Sequence, residues 1–233
     1  MAADERLGEL SHEWMVRSSQ HEYSYHFTWM GRPIIQLPQD IVAMQEILWR
    51  VRPELVIETG IARGGSLVFH ASILELIGGE GRVLGIDVDL RDHTRRALEE
   101  HPMAKRIDVL DGSSIDEALV EQVRERARGR SPVLVILDSN HTHEHVAREL
   151  ELYAPLVTEG SYCVVFDTIV ETMPADFYPN RPWGPGDNPW TAVQAFLADH
   201  PEWVVDQPFE NRLLLTMAPG GYLRRVGRNG ESG

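Results

Sequence analysis

The sequence predicts an α/β fold with a mainly parallel, seven-stranded sheet that ends in an antiparallel pair of strands. Three observations carry this prediction. Short apolar runs alternate with amphipathic segments between residues 55 and 200, which is typical of parallel strands joined by helices. The run at residues 133–137 is apolar throughout, as in a strand covered on both faces. Two last runs, residues 203–206 and 213–217, have no helical segment between them and are therefore expected to pair antiparallel.

An N-terminal segment, residues 1–36, precedes this alternation and carries aromatic and polar side chains without a clear period. Aromatic side chains serve both ligand contacts and subunit contacts. We therefore expect this segment either to cover the mouth of a binding site or to lie in a subunit interface, and we expect a homo-oligomer. Residues 38–49 have apolar residues at helical spacing and predict a helix just before the first strand.

The catalytic domain is expected to span residues 37–226. Its first strand, residues 55–57, enters a glycine loop that opens a helix at about residues 65–77. Strands are then predicted at residues 82–87, 107–110, 133–137 and 161–166, and helices at about residues 91–100, 115–128, 143–155 and 189–200. Prolines break residues 173–189 into a long loop, after which Asn188 and Pro189 start the last helix. Residues 227–233 are expected to be a disordered tail.

Composition limits the partners of this chain. The 233 residues contain 22 Lys and Arg against 36 Asp and Glu, for a formal net charge of −14. Nucleic acid and anionic membranes would be repelled by this charge, so neither is an expected partner. Cys163 is the single cysteine and lies in an apolar run, which indicates a buried thiol and no intrachain disulfide. A leader peptide and an apolar run long enough to cross a membrane are not evident, and we expect a cytoplasmic protein.

The glycine loop follows the pattern E-x-G-x-x-x-G-G-S from Glu58 to Ser66. This spacing differs from both the P-loop and the dinucleotide-binding pattern. Glycines allow a ligand to approach the backbone, and the amides at the start of the next helix can donate to an anion. The following strand ends at Asp87, where a carboxylate can accept hydrogen bonds from both hydroxyls of a ribose. Together these features predict a site for a nucleoside-bearing cofactor.

Acidic side chains end the two neighbouring strands that follow. Asp138 and Asp167 are expected to lie close together at the carboxyl edge of the sheet, where a divalent cation such as Mg²⁺ would remove their repulsion. Three histidines come directly after Asp138, and a histidine is a suitable general base near neutral pH. His141 and His143 are the candidates for this base. A zinc site shared by His141 and His145 is a weaker alternative, because the sequence supplies no clear third ligand.

These motifs resemble those of class I S-adenosylmethionine-dependent methyltransferases, specifically the cephalosporin hydroxylase/rhamnosyl O-methyltransferase family. The likeness rests on E-x-G-x-x-x-G-G-S, on G-I-D-x-D at residues 85–89, and on Asp138 followed three residues later by His141. It covers roughly residues 25–220 and implies a Rossmann-like fold. By this resemblance the cofactor is S-adenosylmethionine, His141 is the general base, and Asp138 and Asp167 hold Mg²⁺. The implied cofactor-binding residues are Glu58, Gly60, Gly64 and Ser66 at the methionine part, Asp87 at the ribose and Ser113 or Ser114 at the adenine, with Thr59 and Asp138 as further candidates.

One departure from the family pattern concerns the metal. Related metal-dependent members tend to carry Glu-Asp at the end of the fifth strand, whereas this chain has Phe166-Asp167. Water, Thr168 or a histidine would then have to complete the metal shell. The resemblance implies O-methyl transfer to a small-molecule or glycan acceptor, with the hydroxyl of a sugar or glycosylated natural product as the expected target. The alternatives are an NAD-dependent oxidoreductase and a catalytically inactive cofactor-binding protein.

Overall fold

The computed structural model describes residues 1 and 3–227, so residues 228–233 of the predicted tail lie outside the described part. The helices are α1 Glu5–Ser19, α2 Pro38–Val51, α3 Gly65–Ile77, α4 Asp92–Glu99, α5 Glu117–Ala127, α6 His143–Tyr153, α7 Pro189–Asp199 and the short α8 Gln207–Glu210. The strands are β1 Phe27–Trp29, β2 Arg32–Ile34, β3 Leu55–Thr59, β4 Arg82–Asp87, β5 Ile107–Asp111, β6 Val133–Leu137, β7 Tyr162–Val165, β8 Trp203–Val205 and β9 Tyr222–Arg225.

Seven of these strands form one sheet in the order β5-β4-β3-β6-β7-β9-β8. The first five are parallel, while β9 is antiparallel to both β7 and β8. This confirms the predicted mainly parallel sheet with a C-terminal antiparallel pair. After β3 the chain forms β4, which pairs with one edge of β3. It later returns as β6, which pairs with the opposite edge of β3. The crevice between the carboxyl ends of β3 and β6 is therefore the switch point at which α/β sheets bind ligands.

Helices cover both faces of the sheet. Every residue of β3 and β6 is buried, as expected for parallel strands between two helical layers. Side chains of α2 and α3 pack on one face and those of α5, α6 and α7 on the other. No helix among residues 1 and 3–227 has the length and apolar character needed to cross a membrane.

The predicted strand at residues 213–217 is wrong, because this segment forms turns and the strand that pairs with β8 is β9. Asp40, buried at the start of α2, explains the difference. Its carboxylate accepts hydrogen bonds from the Thr216 hydroxyl, from the Met217 amide at 2.9 Å and from the Tyr222 hydroxyl at 2.8 Å. The Thr216 hydroxyl and the Met217 amide therefore bond to α2, and the Met217 amide does not bond to a neighbouring strand.

The N-terminal segment is more regular than its sequence indicated, since it contains α1 and the β1–β2 hairpin. Only Met15 of α1 is fully buried, so this helix has too narrow an apolar side to produce a clear period. The hairpin packs on α3, with the Trp29 ring 4.8 Å from that of Phe69 in an edge-to-face arrangement. The N-terminal segment is therefore joined to the main sheet through its hairpin, which lies next to the start of α3.

Candidate active site

A cavity of about 470 Å³ opens at the switch point between β3 and β6. This volume is typical of small-molecule sites, which usually measure roughly 300–1,000 Å³. Four parts of the chain form its wall: the N-terminal segment, the glycine loop, the ends of β6 and β7, and the proline-rich loop. Residues that line it include Ser19, Tyr25, Gln36, Gly60, Arg63, Ser66, Asp138, His141, Phe166, Asp167, Tyr178, Arg181 and Trp183.

Gly60 follows β3 and has a φ of +87°, a backbone conformation that favours glycine. A Cβ at this position would lie 2.0 Å from the backbone oxygen of Asp138. The Asp138 amide in turn donates to the Thr59 carbonyl at 3.0 Å. Close contact between the ends of two neighbouring strands, in addition to any ligand, therefore requires glycine at position 60.

We predict that Gly60→Ala destabilises the fold far more than Gly78→Ala. Gly78 has nearly the same φ, +84°, but no atom lies within 4 Å of its Cβ position, so it is a matched control for backbone strain alone. The control should cost about 1–3 kcal/mol of unfolding free energy, because Gly78 has a ψ of −173° and so lies in a region nearly confined to glycine. Gly60→Ala should cost several kcal/mol and displace Asp138. Urea unfolding measures both values, and equal losses for the two variants would contradict the proposed contact.

Glu58 lies beneath the glycine loop and is 1% exposed. Its carboxylate accepts a hydrogen bond from the Ser66 hydroxyl and pairs with His70 Nδ1 at 2.9 Å. Glu58 therefore does not line the cavity; it holds Ser66, which does. The observed position makes Glu58 a positioning residue for the first turn of α3.

Asp87 ends β4 and holds the glycine loop from the other side. Its Oδ2 accepts hydrogen bonds from the amides of Ile61 and Ala62 at 2.8 and 3.0 Å, and its Oδ1 accepts one from the Asp89 amide at 2.8 Å. These bonds fix the carboxylate at the strand end. A role in ribose binding would use the remaining acceptor capacity of the same two oxygens.

The other predicted cofactor residues lie around the cavity without lining it. Thr59 is fully buried in β3, and Gly64 begins α3 with a φ of +79°. Ser113 and Ser114 follow β5. The Ser114 hydroxyl is 3.1 Å from His145 Nε2, and its carbonyl accepts a hydrogen bond from Tyr153. The structure therefore brings Gly60, Ser66 and Asp138 to the cavity, and places the remaining candidates behind or beside it.

Asp138, His141 and Asp167 form a compact cluster at the carboxyl edge of the sheet. One ligand atom from each residue lies within 4.8 Å of the others, and His141 Nε2 is 3.1 Å from Asp167 Oδ2. Burial raises the pKa of Asp138 well above its ordinary value, and the negative charge of Asp167 raises it further. The two carboxylates therefore repel each other, as the sequence predicted, and a cation between them would relieve this repulsion.

The other two histidines do not line the cavity. His143 starts α6, where its amide donates to Asp187 at 2.7 Å and its Nδ1 is 2.8 Å from the Thr191 hydroxyl. His145 Nε2 instead faces the Ser139 hydroxyl at 3.1 Å. Within the part of the chain that the structure describes, the metal-type cluster includes His141 but not His145, so the shared zinc site is not formed.

Sequence reasoning missed the aromatic and basic side chains of the proline-rich loop that lie beside the cluster. Trp183 packs edge-to-face on His141 with 4.8 Å between ring centroids, and the Arg181 guanidinium lies 5.1 Å from the Trp183 ring. Burial and the charge of Asp167 raise the pKa of Tyr25 and of Tyr178, so both phenols keep their protons and can donate hydrogen bonds. The aromatic residues within the proline-rich loop were the available signal.

Comparisons with known proteins show the family of this chain. A family model described as Rhamnosyl O-methyltransferase/CmcI matches residues 21–226. The chain belongs to this family. The Rhamnosyl O-methyltransferase of Mycobacterium tuberculosis (strain ATCC 25618 / H37Rv) is 37% identical over 204 residues, which cover 85% of this chain and 78% of that protein. Its counterpart from Mycobacterium leprae (strain TN) is 34% identical over 203 residues, covering 85% of this chain and 82% of that protein.

Solved structures of the family share the fold. A structure of CmcI with Mg and SAM has a TM-score of 0.62 and 22% identity, and the match covers 87% of this chain and 78% of that one. Family membership makes this chain an S-adenosylmethionine-dependent O-methyltransferase and decides against the NAD-dependent oxidoreductase.

Proposed function

We propose that this family member transfers a methyl group to a hydroxyl of a sugar or glycosylated natural product. Support for a sugar acceptor comes from the M. tuberculosis and M. leprae relatives, which are rhamnosyl O-methyltransferases. The single observation that carries the chemistry is the cluster of Asp138, His141 and Asp167 beside the glycine loop. It combines a basic side chain with two carboxylates where an acceptor could meet the cofactor.

The two carboxylates fit a divalent cation. We assign Asp138 and Asp167 as ligands of Mg²⁺, since this ion is commonly held by one or two carboxylates and completes its shell with water. A bound Mg²⁺ would lower the pKa of a hydroxyl in contact with it. Phe166, at the position where a third carboxylate would stand, is 2% exposed and packs in the apolar core. Thr168 is fully buried and does not line the cavity, so water would complete the shell.

His141 is the proposed general base. Asp167 orients its imidazole through the 3.1 Å contact at Nε2, and Trp183 packs against the ring. With Nε2 donating to Asp167, Nδ1 is left to accept the proton of the acceptor hydroxyl. The Asp167 carboxylate would then stabilise the imidazolium that forms. Bound S-adenosylmethionine supplies an electrophilic methyl group, and the sulfur leaves with the bonding electrons as S-adenosylhomocysteine.

The N-terminal segment is the proposed cap of this site. Ser19, Glu22, Ser24 and Tyr25 line the cavity together with aromatic residues of the proline-rich loop. Aromatic faces pack well on the apolar face of a sugar ring, while phenol hydroxyls and charged groups can bond its hydroxyls. Both walls would have to close around an acceptor for water to be excluded.

A transfer assay tests the proposal. Radiolabelled S-adenosylmethionine is incubated with the protein, Mg²⁺ and a panel of acceptors that includes free rhamnosides, other glycosides and non-glycosylated phenols. We expect label in a glycoside product and not in the phenols. Labelled phenols would contradict the sugar assignment. Cofactor binding without transfer to any acceptor would favour the inactive cofactor-binding protein.

A further inference from the structure

Gln36 has an unusual environment for a buried amide. It lies between β2 and α2, is 3% exposed and lines the cavity. Among the residues that the structure describes, neither its Nε2 nor its Oε1 has a hydrogen-bond partner. A buried polar group without a partner is unfavourable, because it loses its hydrogen bonds to water and gains none. Gln36 borders the cavity with two unpaired amide atoms that have almost no exposed surface, so a turn of its side chain would let the amide bond a molecule there.

The position of Gln36 indicates which end of the ligand it meets. The Pro33 carbonyl packs against Gly65 so closely that a Cβ on this glycine would lie 2.1 Å from the oxygen. The segment of residues 33–36 therefore starts beside the first turn of α3. Gln36 and Ser66, from the two elements, both line the cavity. The first amides of α3 have no intrahelical acceptor and form the positive end of the helix dipole, so this wall favours a negatively charged group.

We propose that Gln36 binds the amino-acid end of S-adenosylmethionine. Its Nε2 donates to the carboxylate, which lies toward the start of α3, and its Oε1 accepts a hydrogen bond from the ammonium group. A carboxamide has both a donor and an acceptor and so matches a zwitterion. The inference rests on the cofactor occupying this cavity, as the proposed function requires. It also gives the segment before α2 a direct part in cofactor recognition.

Calorimetry with two cofactor analogues tests this inference. S-adenosylhomocysteine retains the amino-acid end, whereas 5′-methylthioadenosine has the same nucleoside and thioether but lacks that end. Gln36→Met replaces the amide with an apolar side chain of similar length. We expect it to weaken S-adenosylhomocysteine binding by about 10- to 100-fold, as for lost hydrogen bonds to charged groups. Binding of 5′-methylthioadenosine should change by less than about twofold, because it never contacts the amide.

Gln39→Met is the matched control. Gln39 lies in α2, its Oε1 also lacks a partner among the described residues, and its side chain does not line the cavity. This variant should bind both analogues as the parent does. The melting temperature of ligand-free Gln36→Met should equal or exceed that of the parent, since the substitution removes unpaired polar atoms from the interior. If Gln36→Met does not fold, Gln36→Glu provides the same comparison. Its added negative charge should repel the carboxylate, and so weaken the binding of S-adenosylhomocysteine more than that of 5′-methylthioadenosine.

The results that would overturn the inference alone differ from the result that would also overturn the proposed function. Unchanged S-adenosylhomocysteine affinity in Gln36→Met, or equal losses for both analogues, would remove Gln36 from the amino-acid end. Unchanged affinity together with a raised KM for the acceptor would place Gln36 in the acceptor site instead. If the parent protein bound neither analogue, the cavity would not be the cofactor site, and the proposed function would fail with the inference.

Discussion

Replacing His141 with alanine is expected to lower kcat for methyl transfer by about 10²–10⁴-fold, the usual loss for a general base. The variant should bind S-adenosylhomocysteine almost as tightly as the parent, because the proposed base contacts the acceptor hydroxyl; in the structure its ring contacts Asp167 and Trp183. Steady-state kinetics and calorimetry measure the two effects.

His143→Ala is the matched control for this prediction. This variant also replaces a histidine with alanine, only two positions from His141. His143, however, contacts Thr191 and Asp187 outside the cavity. Its kcat should stay close to that of the parent. Activity lost in His143→Ala and retained in His141→Ala would move the base two residues along the chain. A kcat that is equal in His141→Ala and the parent would contradict the role of His141 as the base.

Metal removal is expected to have an effect of similar size. With EDTA, kcat should fall by about 10²–10⁴-fold, because a bound cation stabilises developing negative charge by several kcal/mol. Added Mg²⁺ should restore activity. Asp138→Asn and Asp167→Asn should each weaken the binding of Mg²⁺, since each removes one of the two carboxylates in the cluster. Titration of activity with Mg²⁺ gives the apparent affinity of the parent and of both variants.

Asp176→Asn serves as the control for these charge changes. Asp176 is exposed in the proline-rich loop and does not line the cavity, so its replacement should leave the Mg²⁺ response unchanged. Full activity of the parent in EDTA would contradict the metal site. Deprotonation would then rest on His141 alone, and Phe166 in place of a third carboxylate would be the physical reason.

The parallel part of the sheet was predictable because its strands are local signals. Buried strands such as β3 and β6 are continuous apolar runs, and each is followed by a turn and an amphipathic helix. The site was predictable to a similar extent. Once the strands are known to be parallel, their carboxyl ends share one edge, and Asp138 and Asp167 must come together there.

The C-terminal strand pair could not be placed correctly from the sequence. Residues 213–217 are as apolar as a strand, yet their polar groups bond to Asp40, more than 170 residues earlier in the chain. Burial raises the pKa of Asp40 to about 6, although its three hydrogen bonds act in the opposite direction. A contact of such sequence separation has no local signature, and β9 in turn has too mixed a composition to be recognised.

The sequence by itself determined the fold class, a site for a nucleoside-bearing cofactor and the acidic pair Asp138 and Asp167, because each follows from the periodicity of the strands and from the residues at their ends. The tertiary structure decided which contacts the individual residues of the site make. Gly60 is required by the backbone of Asp138, Glu58 supports Ser66, and Gln36 reaches the cavity from a segment that the sequence left without structure. These assignments depend on distances between separate segments, and such distances are fixed only when the hydrophobic core packs the helices and strands against one another.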